Sequence, residues 1–291
     1  MHDLVHDLAS HVSKKYCSSV VTNKSNDARL AITHLRLAGV DIEKIVKFHD
    51  GSLGRLQTLY IEGDFSIDML KELKNLRVLV LSSFSILHLP SSIGKLKYLR
   101  YVDILNTSIE TLPDSISKLY LLQTLRMHCL KGLPKMFERL ISLRHLHIQF
   151  IEGSIGCMFI GIRKLPCLQL LPFFVVSFAS GCLLEELGDL DNLTFELSIY
   201  GLNDVKKLDD AKKAKLYKKS KIQSLRLYWA KMDEQKAGNT SQEVGWKDDE
   251  INDGAIVVDD EQNDKDVLEG LQPHRNIKKL WIQNFQGKNL A

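Results

Sequence analysis

Leu76-Arg77-Val78-Leu79-Val80-Leu81, Leu99-Arg100-Tyr101-Val102-Asp103-Ile104, Leu122-Gln123-Thr124-Leu125-Arg126-Met127 and Leu143-Arg144-His145-Leu146-His147-Ile148 are four copies of one pattern, spaced by 23, 23 and 21 residues. The last two apolar positions of each copy alternate with other residues, so an extended segment points them to one side and the intervening side chains to the other. A strand this short cannot bury its apolar side alone. Between the copies stand Leu89-Pro90, Leu112-Pro113 and Leu133-Pro134, where proline, which lacks a backbone N–H, stops strand continuation. After the first two pairs, Ser91 to Leu96 and Asp114 to Leu119 supply further inward apolar residues, and Ser91 or Asp114 is suited to start a helical turn. Stacked copies then share one continuous core.

The period and pattern resemble the leucine-rich repeat, whose units run to about 20–29 residues. The resemblance implies an α/β solenoid with short parallel strands on a concave face. The frame extends upstream to Ile32/Leu35/Leu37 and Leu56/Leu59/Ile61. Downstream it continues at Leu168/Leu171/Phe173, at Leu193 with a stretched match to Leu197 and Ile199, at Ile222/Leu225/Leu227 and at Ile277/Leu280/Ile282. About ten units result, with irregular boundaries after Leu168. The last gap contains Asp233 to Asp266, with twelve acidic residues against three lysines, which predicts a solvated, mobile insertion at about 233–266. Eight lysines between Lys206 and Lys221, interleaved with Leu208, Ala211, Ala214 and Leu216, read as an exposed helix flank.

In 291 residues, 39 basic side chains face 36 acidic ones, a net charge of +3, and 44% of residues are hydrophobic. Disorder as the main state is excluded. The most apolar stretch, Leu165 to Phe178, is interrupted by Pro166, Gln169 and Pro172, well short of the ~20 apolar residues that span a membrane. The first residues lack the basic and apolar regions of a secretory signal, so the cytoplasm is the expected location. Five scattered cysteines form no paired C-x-x-C motif, which argues against a disulfide framework and a structural zinc site. The four N-x-S/T triplets, starting at Asn23, Asn106, Asn192 and Asn239, read as chance in a chain expected in the cytoplasm.

Met1-His2-Asp3-Leu4-Val5-His6-Asp7-Leu8-Ala9 places apolar residues at 1, 4, 5, 8 and 9, followed by Val12, the spacing of an amphipathic helix. Joined to the repeats, it resembles the segment that closes the nucleotide-binding module of plant intracellular immune receptors, the nucleotide-binding leucine-rich-repeat disease resistance proteins. Leu89-Pro90 with Ile93 to Leu96, Leu168 to Val176, Glu185 to Leu187, Ala211 to Ala214 and Val267 to His274 resemble the coiled-coil subclass. On this resemblance residues 1–25 are a helical remnant of the nucleotide-binding module and residues 26–291 the repeat domain. It also implies that His2 and Asp3 belong to the switch holding the resting, ADP-bound state. The phosphate-cradling G-x-x-x-x-G-K-S/T loop is absent, since Gly94-Lys95 is followed by Leu96 and Gly287-Lys288 by Asn289. His2 and Asp3 are therefore expected to be idle in this chain, with ADP or ATP bound only in a full-length receptor. A start at the motif's own methionine points to a piece of a longer receptor or a truncated product.

The outward strand positions read Arg77, Arg100, Tyr101, Asp103, Arg126, His128, Arg144, His145 and His147. This basic and aromatic stripe suits docking of an acidic protein surface: the receptor's own nucleotide-binding module, a pathogen effector or a guarded host protein. His128, His145 and His147 lack a carboxylate or thiol at ligand spacing, so no metal is expected. Cys129 falls in the turn after a strand and reads as a structural thiol. His2 and His6, four apart, read as interfacial or solvent-facing. No G-x-S-x-G, H-E-x-x-H or kinase signature occurs, so the chain is read as a binding element and not an enzyme. Nucleic acid is not an expected partner, because the net charge is small and the outward aromatics form no stacking series. A stand-alone scaffold, adaptor or decoy without the nucleotide switch stays open, as does a nonfunctional truncation.

Overall fold

A computed structural model describes residues 17–21, 33–38, 52–63, 67–128, 133–149, 160–230 and 260–287. The chain divides into two compact units, residues 1–171 and 172–291.

Among the described residues of the first unit seven strands follow one another in chain order and all pair in parallel. They are β1 (Cys17–Val21), β2 (His34–Ala38), β3 (Thr58–Glu62), β4 (Val78–Ser83), β5 (Tyr101–Thr107), β6 (Thr124–His128) and β7 (His145–Gln149). The register aligns Leu35, Leu59, Leu79, Val102, Leu125 and Leu146 in one inward row, and all six are buried. Each side chain of this kind contributes about 1.5–3 kcal/mol when fully buried.

Between strands the chain makes single 3₁₀ turns, including Ser91–Lys95, Asp114–Lys118, Phe137–Arg139 and Ile162–Lys164. Pro90 and Pro113 precede the first two in an extended conformation and accept the N–H groups of Ile93 and Ile116, each at 3.0 Å. Neither turn has a side-chain cap, so the proline carbonyl does what was expected of Ser91 and Asp114. The turns stack closely. A Cβ on Gly94 would sit 2.6 Å from the backbone oxygen of Ser115.

Before each of β2 to β7, one main-chain carbonyl receives two consecutive N–H groups from the next coil. Arg77 O accepts from Arg100 N (2.8 Å) and Tyr101 N (3.1 Å), Arg100 O from Gln123 N and Thr124 N, and Gln123 O from Arg144 N and His145 N.

The second unit has the parallel order β11-β10-β9-β8, with β8 (Phe173–Val175), β9 (Phe195–Tyr200), β10 (Ile222–Tyr228) and β11 (Lys279–Gln283). Two helices, Leu208–Lys212 and Asp260–Leu271, cross closely because Gly270 lies against Leu208 O, where a Cβ would approach to 2.5 Å.

Three expectations are corrected. Residues 17–21 form a strand paired with β2, so repeat-type pairing starts inside the stretch expected to be a helical remnant; the alternative strand period is simply hard to see in Cys17-Ser-Ser-Val-Val21. The acidic insertion ends earlier than 266. From Asp260 the chain is helical, Val267 and Leu271 are buried, and Asp264 accepts the Gln286 N–H at 2.9 Å. The lysine-rich stretch is not exposed throughout. Lys219 is fully buried at the position that Leu190 holds one coil earlier, and its Nζ donates to Leu187 O (2.7 Å) and Leu190 O (3.3 Å). Burial lowers this ammonium from its ordinary 10.5 to about 8, against the opposing pull of Asp191 and Asp189.

Two predictions follow from this packing. Gly94→Ala should lower the thermal midpoint through its contact with Ser115, while alanine at exposed Gly54, which has open space around its Cβ, should not. For Lys219 the folded chain gives up its proton first, at about 8 rather than 10.5, so the unfolded chain binds more protons in that window and stability rises with pH. Urea unfolding from pH 8 to 10 should therefore show the wild type gaining stability relative to Lys219→Met; parallel curves would exclude the assignment.

Candidate protein-binding face

Alternation along each strand turns a second set of side chains away from the core, and the parallel register assembles them into rows. One row runs His34, Thr58, Val78, Tyr101, Thr124, His145; the next runs Arg36, Tyr60, Val80, Asp103, Arg126, His147. His128 lies beyond them, opposite Gln149.

The centre of the face is a polar cluster drawn from two coils. Arg126 Nη1 donates to Asp103 Oδ2 (2.7 Å) and to Tyr101 Oη (3.3 Å), and Tyr101 Oη donates to Asp103 Oδ2 (3.2 Å). The other oxygen, Asp103 Oδ1, accepts the Leu105 N–H at 3.1 Å. Asp103 is buried and Arg126 half-buried, a setting in which a charge-assisted bond is stronger than at an exposed pair. Arg126 is thus neutralised by Asp103. The stripe is less basic at its middle than its composition indicates.

At the β2 end, Arg36 lies 4.9 Å from the centre of the Tyr60 ring and pairs with Glu62 at 3.2 Å, a cation over an aromatic face. Arg36 and Tyr60 were missed among the candidate residues, although the outward positions of Leu35-x-Leu37 and Leu59-x-Ile61 signal them. Arg77, Arg100 and Arg144 are exposed but stand just before β4, β5 and β7. They belong to the edge where the chain enters each strand and do not join the rows. His145 Nδ1 is 3.3 Å from Thr124 Oγ1. His2, Asp3, His6 and Cys129 lie outside the described residues. Among the described residues no group of three or more His, Cys, Asp or Glu is arranged to hold a metal ion, and no helix is long and apolar enough to cross a membrane.

The second unit carries its own outward cluster. Arg226 pairs with Glu196 and lies 4.8 Å from the centre of the Trp281 ring. Beside it, the Tyr200 and Tyr228 rings stack at 4.2 Å and 1°. Burial, then the neighbouring Tyr228, pushes the Tyr200 phenol up.

A family model described as R13L1/DRL21 leucine-rich repeats matches residues 184–291. Disease resistance protein RGA2 of Solanum bulbocastanum is 35% identical over 292 residues, covering 100% of this chain and 26% of that protein. RGA4 of the same species is 36% identical over 294 residues, covering 99% of this chain and 25% of its own length. Plant disease resistance proteins are thus homologues of this chain over its whole length. The chain spans about a quarter of the length of these curated relatives and corresponds to a leucine-rich-repeat region of such a protein. Of solved structures, a leucine-rich-repeat protein of Leptospira interrogans aligns with a TM-score of 0.49 at 18% identity, covering 72% of this chain and 58% of that one.

In this chain both imidazoles near Asp103 are held below their ordinary 6.5. His128 is lowered by burial, against Asp103; His147 is lowered by burial, then by Arg126 and His145, again against Asp103. A depressed histidine contributes stability that is present above pH 6.5 and is lost as pH falls through the lower folded value. Asp103→Asn removes the one attraction that favours the charged rings. NMR titration should then find both imidazoles protonating at lower pH than in the wild type; unchanged midpoints would disprove the coupling.

Proposed function

We propose that this chain is the recognition and autoinhibition region of a plant immune receptor and acts in defence by binding proteins through the outward face of its parallel sheet. The observation that carries the reading is the unbroken pair of outward rows across six strands, from His34 and Arg36 to His145 and His147. Solenoids present such surfaces for partners, and arginine and tyrosine are the side chains that anchor interfaces.

At rest the face docks on the receptor's nucleotide-binding module and holds its switch closed. A pathogen effector or a guarded host protein that binds the released arrangement more tightly shifts the balance toward opening, and only that difference in affinity does work. The chain itself takes no nucleotide and performs no catalysis in this scheme, which runs in the cytoplasm.

The test is binding of the 291-residue chain to the ADP-loaded nucleotide-binding module of a coiled-coil-class receptor, by calorimetry. Arg36→Glu and Arg126→Gln, each checked for wild-type circular dichroism, are expected to weaken binding at least tenfold. Undiminished binding by both folded variants would sink docking through this face.

A further inference from the structure

Among the described residues of the first unit, the coils leading into β3 to β7 each enter the strand through a short exposed edge, distinct from the outward face of the sheet. In three successive coils this edge carries exposed apolar side chains, beside Lys97 in the first and Ser142 in the third. Tyr98 is 53% exposed, Tyr120 47%, Leu121 39% and Ile141 53%. They follow the 3₁₀ turns Ser91–Lys95, Asp114–Lys118 and Phe137–Arg139, and they precede β5, β6 and β7. The run is bounded by Lys74 and Asn75 in the preceding coil. Equivalent positions of the second unit hold Asp191 and Asn192, both exposed. The apolar character is therefore a property of these coils and is not demanded by the repeat.

Basic residues bracket the apolar row along the chain. Lys95, Lys118 and Arg139 end the three turns on one side, and exposed Arg100 and Arg144 stand on the other, at the strand entrances. Lys97 braces the row internally: its Nζ donates to Lys118 O at 3.3 Å and lies 5.7 Å from the centre of the Tyr120 ring. An exposed apolar run of this kind marks an interaction site, and its basic margins define what fits. The partner must carry apolar side chains flanked by carboxylates. Parallel strands advance by about 4.8 Å per coil, close to the ~5.4 Å pitch of an α-helix, so a helix laid across the coils brings one apolar residue per turn to each of them.

We propose that this edge, centred on Tyr98, Tyr120 and Ile141 and bordered by Lys95, Lys118, Arg139, Arg100 and Arg144, docks an acidic amphipathic helix of a partner protein. The proposal is independent of the outward sheet face.

The probe is a fluorescein-labelled synthetic peptide of about five helical turns, with a leucine stripe flanked on both sides by glutamates, titrated with the full 291-residue chain by anisotropy. The wild type should bind it saturably and should fail to bind the same peptide with glutamine in place of leucine. Tyr98→Ser and Tyr120→Ser, which alter exposed side chains and should keep the wild-type thermal midpoint, are expected to weaken binding at least tenfold. Lys118→Glu should do the same and flatten the salt dependence. Phe178→Ser, at an equally exposed aromatic of the second unit (75%), should change nothing. No saturable binding, equal binding of the glutamine peptide, or full binding by the folded tyrosine variants would each overturn the assignment.

Discussion

No strand in this chain can bury its own apolar side. A coil offers two or three inward side chains on a strand and two or three on the turn behind it, and these meet only the equivalents of the coils above and below. Leu79 needs Leu59 and Val102 beside it, as Ile93 and Ile116 need the stacking of their turns. Every other feature depends on this shared core, because the register that stacks the inward rows is the same register that assembles the outward ones. The outward face is therefore a by-product of the packing that holds the coils together.

The period was legible because inward positions admit so few residue types, and β4 to β7 lie where the four copies put them. It was less legible where another element substitutes for the pattern. Phe173, read as the end of the Leu168 unit, lies in β8 of the second sheet, with Leu170 alone bridging to His145; Pro172 removes a donor that a regular strand there would need. Lys219 in a leucine slot is invisible to a hydrophobic count, since its aliphatic stem fills the space while its ammonium is satisfied by carbonyls 29 and 32 residues away. The helix Asp260–Leu271 hides in an acidic run because only Val267, Leu271 and Gly270 reveal which side is packed.

Of the candidate face, alternation is enough to put Tyr101, Asp103, Arg126, His145 and His147 in the outward rows, but it says nothing of their partnerships. Asp103 and Arg126 are 23 residues apart, and nothing local says that they neutralise one another. Arg226, Glu196 and Trp281 come from three coils across even longer separations. Arg77, Arg100 and Arg144 share the x positions of the repeat pattern with the outward residues. One residue's difference in position places them at the strand entrance instead.

The carbonyls of Arg77, Arg100 and Gln123, each accepting two successive N–H groups, involve no side chain at all. Coil is joined to coil there by main chain alone, so the residues at 100 and 101, 123 and 124, and 144 and 145 can change identity with little effect on register. Proline is the exception, since it would delete a donor. A lineage can thus rewrite the side chains that the surface presents, one substitution at a time, while the joint beneath it is inherited intact.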